Sequence, residues 1–180
     1  MILLGFIQFA VDFRRAHLIP PSLPVSSLLP VPHMHWQPPP VGVFSVNTDA
    51  AIRTHLVKIG LGVIIRNSVG KVLACCCSCL NIICSPPIAE ALAMIRGLHL
   101  AEDLLLLPAS LNPDALSVIN LIYSAWVPAS ELGLLISDIL ELFLNPSFHG
   151  VNFIPRSANF VAHDLANFAF SFSTEQIWLD

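Results

Sequence analysis

The chain has 180 residues, a length that suits one domain with an added segment. Its formal net charge is −4, with eight Lys and Arg against twelve Asp and Glu, so we expect any binding to nucleic acid to be weak. The mean hydropathy is high, at +0.74. Prolines, glycines and charges nevertheless interrupt every apolar run before the ~20 residues of a membrane span, which predicts a soluble domain without a membrane partner.

The two ends of the chain are predicted to lie outside the domain. The apolar N-terminus is interrupted by Asp12 and followed, rather than preceded, by basic residues, which is not typical of a secretory signal and favours an intracellular protein. Prolines recur between residues 20 and 40 and favour extended chain. We predict a proline-rich leader or linker over 1–40, the domain over 41–172 and a frayed tail over 173–180.

The first part of the domain has the pattern of a β-meander. Residues rich in β-branched and aromatic side chains predict strands over 41–49, 59–66 and 71–80, the first ending on Asp49 and the last two joined by a hairpin turn. Gly60 and Gly62 lack side chains on one face of the second strand, which indicates either the close approach of another backbone or a neighbouring bulky element. The cysteines of the third strand lack paired metal-ligand spacing, and neighbours on a strand point to opposite faces. We therefore predict that they are small buried thiols in a reducing compartment.

The second part of the domain alternates helices with two more strands. Apolar periodicity and capping residues predict helices over 87–105 and 113–124, a helix from Ser130 to about 145, and a last helix over 159–170, with strands within 106–112 and 148–155. This order predicts an α/β fold with a mixed five-stranded sheet, in which two parallel strands are added to three antiparallel ones and helices cover both faces.

Three acids could meet at one rim of this sheet. Asp49 ends the first predicted strand, Glu90 lies in the first turns of the first helix, and Asp114 follows the fourth strand. Carboxylate oxygens are ligands that suit Mg²⁺ or Mn²⁺, and two such ions can activate water and stabilise the leaving oxygen in phosphodiester hydrolysis. The alternative is that Glu90 and Asp114 are ordinary first-turn acids, favoured by the helix dipole.

A set of motifs supports the first interpretation. They occur in order at 36–40 (WQPPP), 44–51 (FSVNTDAA), 60–70 (GLGVIIRNSVG), 89–91 (AEA), 114–119 (DALSVI) and 155–166 (PRSANFVAHDLA). Over residues 36–170 the chain thus resembles the ribonuclease H fold, and more closely the plant ribonuclease H-like domain of retrotransposon-derived proteins.

The resemblance implies an endonuclease that hydrolyses the RNA strand of an RNA:DNA hybrid with Mg²⁺ or Mn²⁺. Asp49 would bridge two ions, and Glu90 and Asp114 would complete their coordination. His163 stands where the family usually has a fourth Asp, and because imidazole is neutral and softer than Mg²⁺ prefers, the second ion should bind more weakly. Asp164 is one residue further on, rotated by ~100° about the helix, so we expect it to point elsewhere.

Several roles stay open at this point. Arg156 lies in the loop before the last helix, and His149 is either an aid to product release or a surface histidine. The chain is either an active hybrid ribonuclease, a catalytically impaired module that binds nucleic acid or protein, or a decayed retroelement remnant. We expect a monomer in each case.

Overall fold

The computed structural model describes residues 35–124 and 126–180; the predicted leader over 1–34 lies outside them. Within this part the chain forms six strands and four α-helices. The strands are β1 (Phe44–Arg53), β2 (Lys58–Arg66), β3 (Val72–Leu80), β4 (Ala109–Pro113), β5 (Phe148–Val151) and β6 (Gln176–Leu179). The helices are α1 (Pro86–Asp103), α2 (Leu116–Tyr123), α3 (Glu131–Leu142) and α4 (Phe160–Phe168). None of these described helices is both long and apolar enough to cross a bilayer.

The sheet is mixed, as the sequence predicts. Its strand order is β5-β4-β1-β2-β3-β6. β1, β2 and β3 form the antiparallel meander, and β4 lies parallel to β1 after the chain has crossed over through α1. β5 then adds parallel to β4. The predicted α/β class with a mixed sheet is confirmed, with six strands in place of five.

The sixth strand corrects the prediction of a frayed tail. β6 pairs antiparallel with β3, so that Trp178 lies opposite Cys75. Glu175, just before β6, accepts hydrogen bonds from Arg96 Nε at 2.6 Å and Arg96 Nη2 at 3.0 Å. The tail is ordered by an ion pair to α1 and by backbone pairing to β3, two contacts with residues far away in the sequence.

Two predicted boundaries also change. β1 does not end on Asp49 but continues to Arg53, because its pairing with β2 extends to the pair Arg53 and Lys58. Pro113 does not open a helix; it ends β4, where it lies beside Thr48 of β1. Asp49 therefore projects from inside a central strand, and Asp114 directly follows the neighbouring one.

Helices cover both faces of the sheet. α1 packs on one face, where its Gly97 lies so close that an added Cβ would be 2.6 Å from Thr48 Cγ2. α4 packs on the other face, where a Cβ at Gly62 would lie 2.2 Å from the backbone oxygen of Ala162. The predicted close approach at Gly62 is confirmed, and it sets the distance between α4 and the strands that carry the acids.

Candidate metal centre

Three acids from separate elements meet at one point of the fold. Asp49 comes from β1, Glu90 from the second turn of α1 and Asp114 from the residue after β4. Parallel pairing of β1 with β4 places Asp49 and Asp114 side by side. One carboxylate oxygen from each acid lies within 4.8 Å of the corresponding oxygens of the other two. Such a group of oxygens has the size and chemistry of a site for a hard divalent cation.

The surroundings of the cluster disfavour the charged forms of Glu90 and Asp114. Asp49 is only 2% exposed, and Glu90 Oε2 is buried without a hydrogen-bond partner in the described part of the chain. Burial, followed by the charge of Asp49, raises the pKa of Glu90 to about 9. Burial and Asp49 also raise the pKa of Asp114. A bound cation would relieve both effects, because it compensates the charges and occupies the unpaired oxygen.

These observations show that the acids fit a divalent metal ion. All three ligands are carboxylates, the donor type that Mg²⁺ and Mn²⁺ prefer, and thiols are not part of the cluster. An ordinary first-turn acid would be solvated, whereas Glu90 turns inward to the other two carboxylates. The alternative of two unrelated helix-terminal acids therefore does not account for the geometry.

His163 joins this group from α4. Its Nδ1 lies 2.7 Å from Asp49 Oδ2 and 3.1 Å from Nη2 of Arg156, while Asn167 Nδ2 lies 3.2 Å from its Nε2. The neighbouring Asp164 is exposed, as expected from its rotation around the helix. His163 thus takes the position beside Asp49.

The two remaining candidates differ in their relation to the acids. Arg156 is close enough for its positive charge to lower the pKa of Asp114, against the larger upward effect of burial. His149 is exposed on β5, two strands away from β1. Arg156 therefore belongs to the surroundings of the acids, and the structure does not bring His149 to them.

Asn159 is a site residue to which the sequence analysis assigns no role. It is 1% exposed, and its Nδ2 donates to the backbone oxygen of Thr48 at 2.9 Å and to Asp114 Oδ1 at 3.3 Å. One amide thus links the residue before Asp49 to the carboxylate of Asp114. Its place in the motif at 155–166 was the only sequence signal, because hydrogen bonds between distant segments leave no local pattern.

Comparison with known proteins agrees with this architecture. The chain belongs to the reverse transcriptase-like family, whose model matches residues 47–169. No curated protein matches it.

Several solved structures that share this fold are ribonucleases H. Ribonuclease H1 from the halophilic archaeon Halobacterium salinarum NRC-1 is 23% identical, with a TM-score of 0.66 over 72% of this chain and 98% of that chain. The N-terminal ribonuclease H domain of a Mycobacterium tuberculosis protein is 24% identical, with a TM-score of 0.62 over 72% and 94%. LC11 ribonuclease H1, isolated from compost and solved with an RNA/DNA hybrid, is 22% identical, with a TM-score of 0.61 over 71% and 96%. The chain therefore has a ribonuclease H fold.

Proposed function

We propose that this protein is a divalent-metal-dependent ribonuclease that hydrolyses the RNA strand of RNA:DNA hybrids. The observation that carries the proposal is the convergence of Asp49, Glu90 and Asp114 within 4.8 Å, with a buried and unpaired oxygen on Glu90. The substrate class is supported by the fold, which the chain shares with a ribonuclease H1 solved in complex with an RNA/DNA hybrid.

The roles of the chain's own residues follow from their positions. Asp49 contacts His163 and lies near both other acids, and it would hold the metal together with Glu90 and Asp114. Mg²⁺ or Mn²⁺ bound there would supply Lewis-acid stabilisation of the phosphodiester and a water of lowered pKa. His163 holds one Asp49 oxygen by a hydrogen bond, and Arg156 adds a positive charge on the same side.

A second ion should bind more weakly than the first. The first can draw on three carboxylates, whereas the second would have to share Asp49 with a histidine in place of a fourth acid. Imidazole brings no negative charge and is a poorer ligand for Mg²⁺ than an oxygen donor. We therefore expect turnover to require more metal than first-site binding does, with Mn²⁺ more effective than Mg²⁺.

The test is hydrolysis of a hybrid labelled on its RNA strand, with Mg²⁺ or Mn²⁺ varied. Asp49→Asn should abolish cleavage, since it removes the central charge of the cluster. Asp164→Asn is the matched control, because Asp164 is an exposed acid next to His163 on the same helix. Cleavage by the wild type and Asp164→Asn, but not by Asp49→Asn, would support the proposal. Absence of cleavage by the wild type at high enzyme and metal would contradict it.

A second candidate function is binding of hybrids without cleavage. One observation favours it: His163 engages Asp49 Oδ2 directly, so one oxygen of this acid already has a hydrogen-bond partner. A mobility-shift titration at low salt, on the same hybrid that fails to be cleaved, would identify this function. If no hybrid is bound at low salt, binding without cleavage is also wrong.

A further inference from the structure

Trp36 contacts the domain although it precedes both the predicted domain start and the residues that the family model matches. The Arg66 guanidinium lies over its ring, 4.7 Å from the ring centre, an arrangement that is favourable for a cation and an indole. Trp36 Nε1 also donates a hydrogen bond to Asn47 Oδ1 at 3.2 Å. The ring is therefore held from one side by β2 and its polar edge is directed at β1.

This hydrogen bond fixes the orientation of the Asn47 amide. An indole N–H can only donate, so the atom of Asn47 that faces it must be the oxygen. Ser45 Oγ donates to the same oxygen at 2.9 Å, since it already accepts from Asn112 Nδ2 at 3.0 Å. The nitrogen of the Asn47 amide is consequently directed toward α4.

The orientation of the Asn47 amide favours one orientation of the Asn159 amide. Asn47 Nδ2 lies 3.4 Å from Asn159 Oδ1, which leaves Asn159 Nδ2 to face Asp114 and the backbone oxygen of Thr48. If the Asn159 amide were reversed, its oxygen would face the Asp114 carboxylate and the Thr48 carbonyl, and three acceptors would meet without a donor. Both amides are buried, at 1% exposure each, so water cannot readily compensate such a reversal.

We propose that Trp36 is a positioning residue of the metal centre, acting on Asp114 through Asn47 and Asn159. The inference rests on the proposed function insofar as Asp114 is a metal ligand. Groups that orient a ligand raise metal affinity, because the site then loses less freedom on binding. The segment over 35–40, which its prolines predict to be a linker, thus contributes Trp36 to the surroundings of the metal centre.

The test is calorimetric titration of Mn²⁺ into the full chain and its Trp36→Phe variant. Phenylalanine keeps an aromatic ring beside Arg66, although a smaller one, and removes the N–H that bonds Asn47. Loss of a residue that supports a ligand directly costs ~10–100-fold in affinity, so for Trp36, which acts through two amides, we expect a Kd about three- to tenfold higher. Trp126→Phe is the matched control, because Trp126 is 68% exposed and should leave the Kd unchanged.

A double-mutant cycle tests whether Trp36 acts through Asn159, an arrangement called the relay below, or whether the two residues act independently. Asn159→Ala should weaken Mn²⁺ binding more than Trp36→Phe does, since it removes the donor to Asp114 itself. If Trp36 acts through Asn159, the double variant binds no more weakly than Asn159→Ala alone. Additive losses would overturn the relay, as would equal Kd values for Trp36→Phe and Trp126→Phe.

A measurement without metal distinguishes failure of the relay from failure of the proposed function. In ¹⁵N spectra of the metal-free protein, the side-chain amide signals of Asn159 should shift in Trp36→Phe and stay in place in Trp126→Phe. Unchanged Asn159 signals in Trp36→Phe would overturn the relay whatever the metal does. If the Asn159 signals shift in Trp36→Phe but the wild type binds no Mn²⁺, the metal-dependent function is overturned and the relay still stands.

Discussion

His163 Nδ1 lies 2.7 Å from Oδ2 of Asp49, the most buried acid of the cluster. The contact exists because α4 packs closely on β2 at Gly62, which is the strand partner of Asp49. His163 of α4 thus occupies the position beside Asp49 where a carboxylate could have served as a further metal ligand. The contact ties Asp49 to a histidine that lies beside the three acids.

Replacing His163 with Asp should create a stronger second metal site. We expect His163→Asp to bind a second Mn²⁺ at least about tenfold more tightly, because a carboxylate adds charge where imidazole adds none. In EDTA the same variant should be less stable than the wild type, since a fourth carboxylate is added beside Asp49. Calorimetry gives the stoichiometry and affinity, and thermal unfolding gives the stability.

The control for this substitution is Ser171→Asp. Ser171 lies beyond the end of α4, is exposed and takes no part in the hydrogen bonds of His163, so the variant carries the same added charge away from that residue. Equal second-site affinities for the two variants would show that net charge, and not the position beside Asp49, controls the second ion.

Glu90 should make the metal-free protein less stable as the pH rises. Burial and the neighbouring Asp49 raise its pKa from an ordinary value of 4.5 to about 9. Between these two values the folded state retains the proton that the unfolded state has lost. The free energy of unfolding therefore falls from about pH 4.5 to about pH 9. Glu90→Gln should remove much of this fall and gain at least ~1 kcal/mol at pH 7 in EDTA.

Bound metal should make the wild type more stable than Glu90→Gln, the reverse of their order in EDTA. With excess Mn²⁺ the wild type gains stability by binding, whereas Glu90→Gln lacks one ligand and gains less. Denaturant unfolding with EDTA and with Mn²⁺, at several pH values, checks both statements. If Glu90→Gln is less stable than the wild type in EDTA at neutral pH, the destabilising effect of the raised pKa of Glu90 is contradicted.

Glu175 should stabilise the C-terminal strand through Arg96. Hydrogen bonds from Arg96 first, and then from Ser78 and Cys76, lower the pKa of Glu175 to about 2 despite its partial burial. Its stabilising effect is present above about pH 4.5 and is lost as the pH falls toward 2. Because the carboxylate is 36% exposed, solvent screens the pair, and we expect Glu175→Gln to cost about 0.5–1 kcal/mol.

Asp180→Asn is the matched control for Glu175→Gln. Asp180 forms an ion pair with Lys71 in which both side chains are more than half exposed, so its loss should have little effect. Thermal unfolding at pH 7 and at pH 3 compares the two variants. Equal destabilisation by both would indicate that Glu175 contributes no more than a surface charge.

The sequence predicted the parts of the fold that depend on local pattern. The meander, the helices and the order of Asp49, Glu90 and Asp114 all follow from periodicity, turns and motifs. β6 was missed because it is ordered by contacts between distant segments. These are the hydrogen bonds that Arg96 donates to Glu175 and the pairing of β6 with β3. Trp36 fell within the predicted linker as well as within the motif at 36–40, but neither pattern indicates what this segment contacts.

Gly62 should tolerate no larger residue. A Cβ at this position would lie 2.2 Å from Ala162 O and 2.4 Å from Ala166 N, which are backbone atoms of α4, so the helix must move. We expect Gly62→Ala to cost about 1–3 kcal/mol of stability. It should also weaken Mn²⁺ binding, because α4 carries His163 and begins directly after Asn159. Denaturant unfolding and calorimetry measure the two effects, and wild-type values for both would contradict the packing described.

The most direct measurement is the anomalous difference density of crystals soaked in Mn²⁺. The account predicts one strong peak bound by oxygens of Asp49, Glu90 and Asp114, at distances of about 2.1 Å, and a weaker second peak or none on the His163 side. Crystals in which millimolar Mn²⁺ leaves no peak among these three carboxylates, while their oxygens remain within 4.8 Å of one another, would contradict it.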